Sequence, residues 1–397
     1  MNAYAIDWVK DIDVYHDMLE KNHVDLYHNI KKDEFKLKLD AIKINVPNLT
    51  DFQVKVALMR LTREVGGGKG DGHTSIPLWN SKLHRFPIEV INFAGELRVV
   101  KAYEEHIDLL GGQIVAINET PIEEIIAEIS AIVPFTENKY SNLTRTSSYL
   151  LISEVLHSLG FTDKVNQAIF ALKYDDGTVR NIELNSVADN TINPTKYREI
   201  KINAPVKSDL DHTKLDGLWF SFLPDKKAVY IKYTAYPSFE EMDAFARNLI
   251  KTVSTTDTRN LIIDLRDNYG GDLFTGLFLA SYLNTIDQMD WKNGVFVLTN
   301  RKTFSAAAVN SSQFRQLLNA KIIGEPTGGN PNGPQDMGSF TLPDSGLLVT
   351  YSKRIFRMQD INTNGVQPDI PVDIRWEDYK AGFDRVLSTV YDHISIH

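Results

Sequence analysis

From Ala5 to about Val65 apolar residues return every three or four positions, as in Trp8, Ile12, Tyr15 and Leu19 and later Phe52, Val56, Leu58 and Leu61, with charges between them. That period lays one apolar stripe along a helix, so residues 1–65 predict a helical N-terminal domain. Asn48-Leu49-Thr50-Asp51 supplies capping side chains ahead of the last helix. The period stops at Gly66-Gly67-Gly68-Lys69-Gly70-Asp71-Gly72-His73-Thr74, where five of the first seven residues are glycine and a helix gives way to a sharp loop.

Beyond this loop the pattern shortens. Phe86–Phe93, Leu97–Val100, Gln167–Tyr174 and Val179–Leu184 read as strands, the last two joined by the turn Asp175-Asp176-Gly177, and Ser147–Leu159 reads as a helix. Residues 186–216 are polar, contain Pro194 and Pro205, and predict a linker. Strand and helix then alternate through Val229–Tyr233, Phe239–Val253, Leu261–Leu265, Leu273–Tyr282, Val295–Leu298 and Ser305–Leu318, an α/β pattern. Three domains are expected: 1–65 helical, 66–205 strand-rich and 206–397 α/β.

Composition narrows the function. The 397 residues are 43% hydrophobic and 24% charged, as in an ordinary soluble globular protein. The net charge of -9 is spread along the chain without a basic block, which argues against a nucleic-acid partner. Absence of cysteine excludes disulfides, thiolate metal sites and a cysteine nucleophile. No apolar run is long enough to span a bilayer and the N-terminus lacks a signal pattern, so the compartment is left open, extracytoplasmic if a leader has been removed. Oligomeric state is not readable. No metal-ligand motif stands out: His23 and His28 lack a third ligand nearby, and no cofactor is called for.

Two strand-to-helix junctions carry candidate chemistry. Leu261-Ile-Ile-Asp-Leu-Arg-Asp-Asn-Tyr-Gly-Gly271 ends a buried strand in a glycine pair at a helix start, where backbone N–H groups can face an anion. Taken alone it fits an oxyanion hole, a phosphate loop or a plain turn. Leu298-Thr-Asn-Arg-Lys-Thr-Phe-Ser-Ala-Ala-Ala308 places Ser305 at the next helix start, where serine is also favoured simply as a cap. Asp264 and Arg266 read as a structural ion pair at the strand end.

These two motifs, with Ile322-Ile-Gly-Glu-Pro-Thr-Gly-Gly329 and Gly365-Val-Gln-Pro-Asp-Ile-Pro-Val372, resemble the C-terminal processing, or tail-specific, serine protease family, in that family's order. The resemblance implies a ClpP/crotonase-like ββα-spiral core from about residue 215, with Ser305 as nucleophile and the N–H groups of Gly270 or Gly271 and of Ala306 as the oxyanion hole. The stretch Leu109-Leu-Gly-Gly-Gln-Ile-Val-Ala-Ile-Asn-Glu-Thr-Pro-Ile-Glu-Glu-Ile125 resembles part of a PDZ domain, implying a PDZ-like segment at about 95–130.

The family divides between a Ser/Lys dyad and a Ser/His, tricorn-like branch. Residues 325–352 contain no lysine, which disfavours the dyad and leaves His73, in Gly-Asp-Gly-His-Thr, as general base. In the Ser/His branch a glutamate stands three residues before the Gly of Gly-Val-x-Pro-Asp; here that position is Asn362. Asp360, then Asn362, then Glu325 are the candidates for the third residue. The expected function is a serine endopeptidase acting on polypeptides through an acyl-enzyme on Ser305. The alternative is a catalytically inactive peptide- or ligand-binding protein on the same fold, similar to retinoid-binding modules.

Overall fold

The structure, a computed structural model, describes residues 6–66 and 71–396, so part of the expected glycine loop, 67–70, lies outside the described residues. The chain forms two compact units. The first comprises Met1–Glu137, Asn142–Ile200 and Gly333–Ile355; the second comprises Asn138–Ser141, Lys201–Asn332 and Phe356–His397.

In the first unit the helical period becomes three helices, Trp8–Asn22, Lys32–Asn45 and Asp51–Gly66. Their apolar stripes do not form a core of their own. Ile12, Tyr15, Val54 and Leu58 belong to the same buried cluster as Ile88, Val99, Ile114, Phe170 and Val349. The strands that supply Ile88, Val99, Ile114 and Phe170 belong to one sheet in the order Ile88–Phe93, Glu96–Tyr103, Gln113–Ile117, Gln167–Lys173, Val179–Asn185. Inward and outward residues alternate at Gln167–Lys173, the period of a strand with one face on the core. The stretch 186–216 is not wholly featureless: Tyr197–Glu199 pairs with Glu96–Tyr103, because the backbone of that strand offers it a partner edge. The chain returns to this unit at 333–355, where the paired strands Asn332–Thr341 and Leu348–Arg357 run beside the residues that follow the glycine loop, with Ser75 bridging Thr350.

The second unit is a six-stranded sheet in the order Leu218–Leu223, Ala228–Tyr233, Asn260–Asp264, Val295–Thr299, Lys321–Gly324, Ile370–Pro371. Its first pair is antiparallel and every later pair is parallel. The five strands from Ala228 onward enter the sheet in chain order, each beside the last. Adding parallel strands always in one direction sends the connecting helices to one face, because crossovers share one hand. Accordingly Met242 and Phe245, Leu279 and Leu283, and Phe314 from three successive helices share a cluster with Val229, Ile231 and Ile263. The alternate residues Ala228, Tyr230 and Ile262 point the other way and meet Val386, Leu387 and Val390 of the helix Arg385–Ile396. Phe239–Val253 is opened by a full capping box between Ser238 and Glu241, worth about 1 kcal/mol. Among the described residues no helix is long and apolar enough to cross a membrane.

Candidate functional site

Parallel order places the carboxyl ends of Asn260–Asp264, Val295–Thr299 and Lys321–Gly324 side by side, and the loops after them collect at one edge of the sheet. They are sewn together. Phe304 N donates to Asn268 O at 2.9 Å, Thr303 Oγ1 to Leu265 O at 2.9 Å, and Gly328 N and Gly329 N to Thr303 O at 2.9 and 3.1 Å. The fourth motif joins the third, since Thr327 N donates to Val366 O and Val366 N to Thr327 Oγ1.

Ser305 stands in this cluster at φ 50°, ψ −126°, ahead of the helix Ala306–Leu317, and its side chain makes no capping bond. A cap serine has extended backbone and accepts from the helix's first amides; Ser305 does neither. Positive φ is uncommon for a side-chain-bearing residue and is held only by firm surroundings. Those surroundings are two glycines. A Cβ on Gly270, itself at φ +100°, would lie 2.7 Å from Ser305 Cβ and 3.0 Å from Ala306 N, and a Cβ on Gly329 would lie 2.8 Å from Ser305 N.

Of the three residues expected at the oxyanion hole, Gly270 already spends its N–H on Asn268 Oδ1 at 2.8 Å, while Asn268 is anchored through Nδ2 to Tyr233 O. The N–H groups of Gly271 and Ala306 form no hydrogen bond with the described residues. Of the three, the N–H of Gly270 is thus already committed within its own turn. Below them Arg266 pairs with Asp264 at 2.7 Å and with Asp384 at 2.8 Å, the ion pair expected at the strand end. Burial pushes the Asp264 carboxyl up, but Arg266 and Lys232 more than offset it and hold it well below the usual range.

In the first unit His73 is buried, and its Nδ1 lies 3.1 Å from Oε1 of Glu137, a fully buried carboxylate. Gln335 Nε2 donates to both Glu137 oxygens at 3.1 Å. Ser75 Oγ couples the two segments, accepting from Phe135 N at 2.9 Å while donating to Gly72 O at 2.8 Å. Phe135 turns the chain at φ +53° just before Glu137.

The three candidates for the third residue of the triad, Asp360, Asn362 and Glu325, all belong to the second unit. Asp360 and Asn362 are exposed in the second unit, where Asn362 Oδ1 accepts from Asn332 Nδ2 at 2.8 Å. Glu325 is engaged by Arg301, whose Nε donates to it at 3.1 Å. Sequence reading did not single out Glu137. The available signal was its isolation: it is the one acidic residue between Glu128 and Glu154, in the irregular stretch Val133-Pro-Phe-Thr-Glu-Asn138. Among the described residues no cluster of three or more metal-ligating side chains occurs.

Residues 227–289 and 279–372 match the model of peptidase family S41. The carboxyl-terminal-processing peptidase 2 of Arabidopsis thaliana, a chloroplastic protein, is 26% identical over 224 residues, which is 51% of this chain and 41% of that protein. The match thus spans about two fifths of that relative. Among solved structures, mature CPAF complexed with lactacystin superposes with a TM-score of 0.66 at 13% identity, covering 98% of this chain and 99% of that one. Mature CPAF alone gives 0.64 at 12% identity, covering 98% and 97%. These likenesses establish a shared mixed helix-and-sheet fold. The family match takes in all four motifs, from the strand before Gly270 and Gly271 to Val372, so this stretch of the chain is similar to peptidase family S41.

Proposed function

We propose that the protein is a serine endopeptidase that hydrolyses peptide bonds of polypeptide substrates through an acyl-enzyme on Ser305, with His73 as general base and Glu137 as the acid that orients it. The backbone of Ser305 is the observation that carries this proposal. Holding a serine at positive φ costs on the order of 1–3 kcal/mol, and a strained strand-to-helix turn is the setting that lifts a nucleophilic hydroxyl clear of its own helix.

Glu137 against Nδ1 favours the tautomer with its proton there, leaving Nε2 as the basic nitrogen. As Ser305 Oγ bonds to the substrate carbonyl carbon, its proton passes to His73 and the carbonyl electron pair moves onto oxygen, facing the N–H groups of Gly271 and Ala306. Collapse breaks the C–N bond, and His73 returns the proton to the leaving amine. Water then repeats the sequence on the ester. A protein that only bound a ligand would have no use for strain at Ser305 or a buried carboxylate against His73.

The same proposal includes a ClpP/crotonase-like ββα-spiral catalytic domain over 206–397, preceded by a helical segment over 1–65 and a strand-rich region over 66–205 that share one core. Supporting the first, the parallel strands are added in chain order with their helices on one face. In the strand-rich region the run from Gly111 through the strand Gln113–Ile117 to the helix Ile122–Ser130 supports a PDZ-like segment at about 95–130, which would take an extended peptide as an added strand.

Labelling with a serine-reactive fluorophosphonate tests the chemistry. The wild type is expected to label, Ser305→Ala to lose labelling altogether, and His73→Ala to label slower by roughly 10⁴-fold or more. A folded wild type that does not label would overturn the proposal.

A further inference from the structure

Asp71 stands two residues before His73, is wholly buried, and has no role in the chemistry above. A buried carboxylate needs full hydrogen-bond compensation, and Asp71 has it. Oδ1 accepts from Thr74 N at 3.1 Å and Ser352 Oγ at 2.6 Å; Oδ2 accepts from Thr74 Oγ1 at 3.0 Å and His23 Nε2 at 2.8 Å. The bonds to Thr74 close a turn with His73 inside it.

His23 is equally specific. Its Nδ1 accepts from Asp25 N at 2.9 Å, so Nε2 must carry the proton, and Nε2 lies 2.8 Å from both Asp71 Oδ2 and Thr74 Oγ1. His23 is also the C-cap of the helix Trp8–Asn22, with its backbone N–H on Leu19 O. Ser352 belongs to the strand Leu348–Arg357, which returns a second bond through Ser352 N to Thr74 Oγ1 at 3.2 Å. One carboxylate thus ties the turn around His73 to a helix end and to a strand. Bonds from Thr74 back to Asp71 bracket His73, so these anchors set where it sits.

We infer that Asp71, oriented by His23, is a positioning residue for the general base, holding the 71–74 turn so that the His73 imidazole keeps its place against Glu137. The inference rests on His73 being the base. A base displaced by about 1 Å loses on the order of 10²-fold in rate, so the turn needs an anchor stiffer than its own backbone.

The test follows fluorophosphonate labelling of the full chain, separating the maximal labelling rate from the half-saturating reagent concentration. Asp71→Asn and His23→Leu are expected to lower the maximal rate by about 10- to 100-fold and to shift the half-saturating concentration by less than about threefold. His23→Gln, which returns an N–H donor near the Nε2 position, should recover most of that loss. In a His73→Ala background Asp71→Asn should cost nothing further, since a positioning residue acts only through what it positions. A full additional loss in that background, or an unchanged maximal rate in folded Asp71→Asn, would overturn the inference. If Asp71→Asn proves unstable, the His23→Leu and His23→Gln pair decides: no recovery by glutamine sinks it. Failure of the base assignment gives a different result, because His73→Ala alone would then label at the wild-type rate.

Discussion

Ser305 is aimed by its own backbone, whereas His73 is aimed by the side chains of other residues. The serine turn is shaped by glycines and by main-chain bonds between successive strand-to-helix loops, so nearly everything that defines it lies in one repeated local pattern. The histidine turn draws on His23, Asp71, Thr74 and Ser352 on one side and Ser75, Glu137 and Gln335 on the other, with Asp71 and Ser352 separated by 281 positions. A nucleophile gains from strain that exposes it, while a base gains from a rigid, hydrogen-bonded mount that fixes its tautomer. Close-packed glycines, main-chain bonds and the short side chains of Asn268 and Thr303 hold the first; buried ionisable side chains hold the second.

The largest effect expected is on the histidine side. Glu137→Gln should lower the fluorophosphonate labelling rate by about 10⁴-fold, because an amide no longer stabilises the imidazolium. Asp360→Ala and Asn362→Ala, at exposed positions, should leave it within about twofold. The reverse ranking would assign the third catalytic role to Asp360 or Asn362.

Next in size is a change on the serine side that touches no side chain used in the chemistry. Gly270→Ala introduces a Cβ 2.7 Å from Ser305 Cβ at a backbone φ of +100°, and should slow labelling by about 10²- to 10³-fold, comparable to loss of an oxyanion donor. Wild-type labelling by a folded Gly270→Ala protein would mean that the close approach does not hold the serine.

The smallest effect is on stability and belongs again to the histidine mount. Burial pushes the Asp71 carboxyl up, but the hydrogen bonds from His23 and Ser352 more than offset it and leave it below its ordinary value. A carboxylate depressed on folding contributes stability that is complete above its unfolded value, about 4, and is lost as pH falls through the folded value. The stability difference between wild type and Asp71→Asn, measured by urea unfolding, should therefore be greatest at neutral pH and shrink below about pH 4. A difference that stays constant or grows in acid would show that Asp71 is not held as a carboxylate.

The serine side was readable in advance because its elements are contiguous. Buried strands, glycine pairs and a serine at a helix start follow one another in order, and the strand positions Val229, Ile231 and Tyr233 against Ala228 and Tyr230 separate into two faces by alternation alone. Sequence order also places the loops at one sheet edge once the strands are parallel. His73 could be picked out by its setting, but its partner could not. Glu137 follows a proline-containing irregular stretch and meets His73 only because Ser75 binds Phe135 and the turn at Phe135 swings the chain inward. Likewise the helical and strand-rich segments, distinct in period, bury their apolar faces in one core, and residues 333–355 return to it from far along the chain. Local pattern specifies what each segment is and which face it buries, because period and backbone preference act over a few residues. Which buried polar groups meet is settled by long-range folding, because a carboxylate taken out of water accepts whichever donors the packed core brings to it.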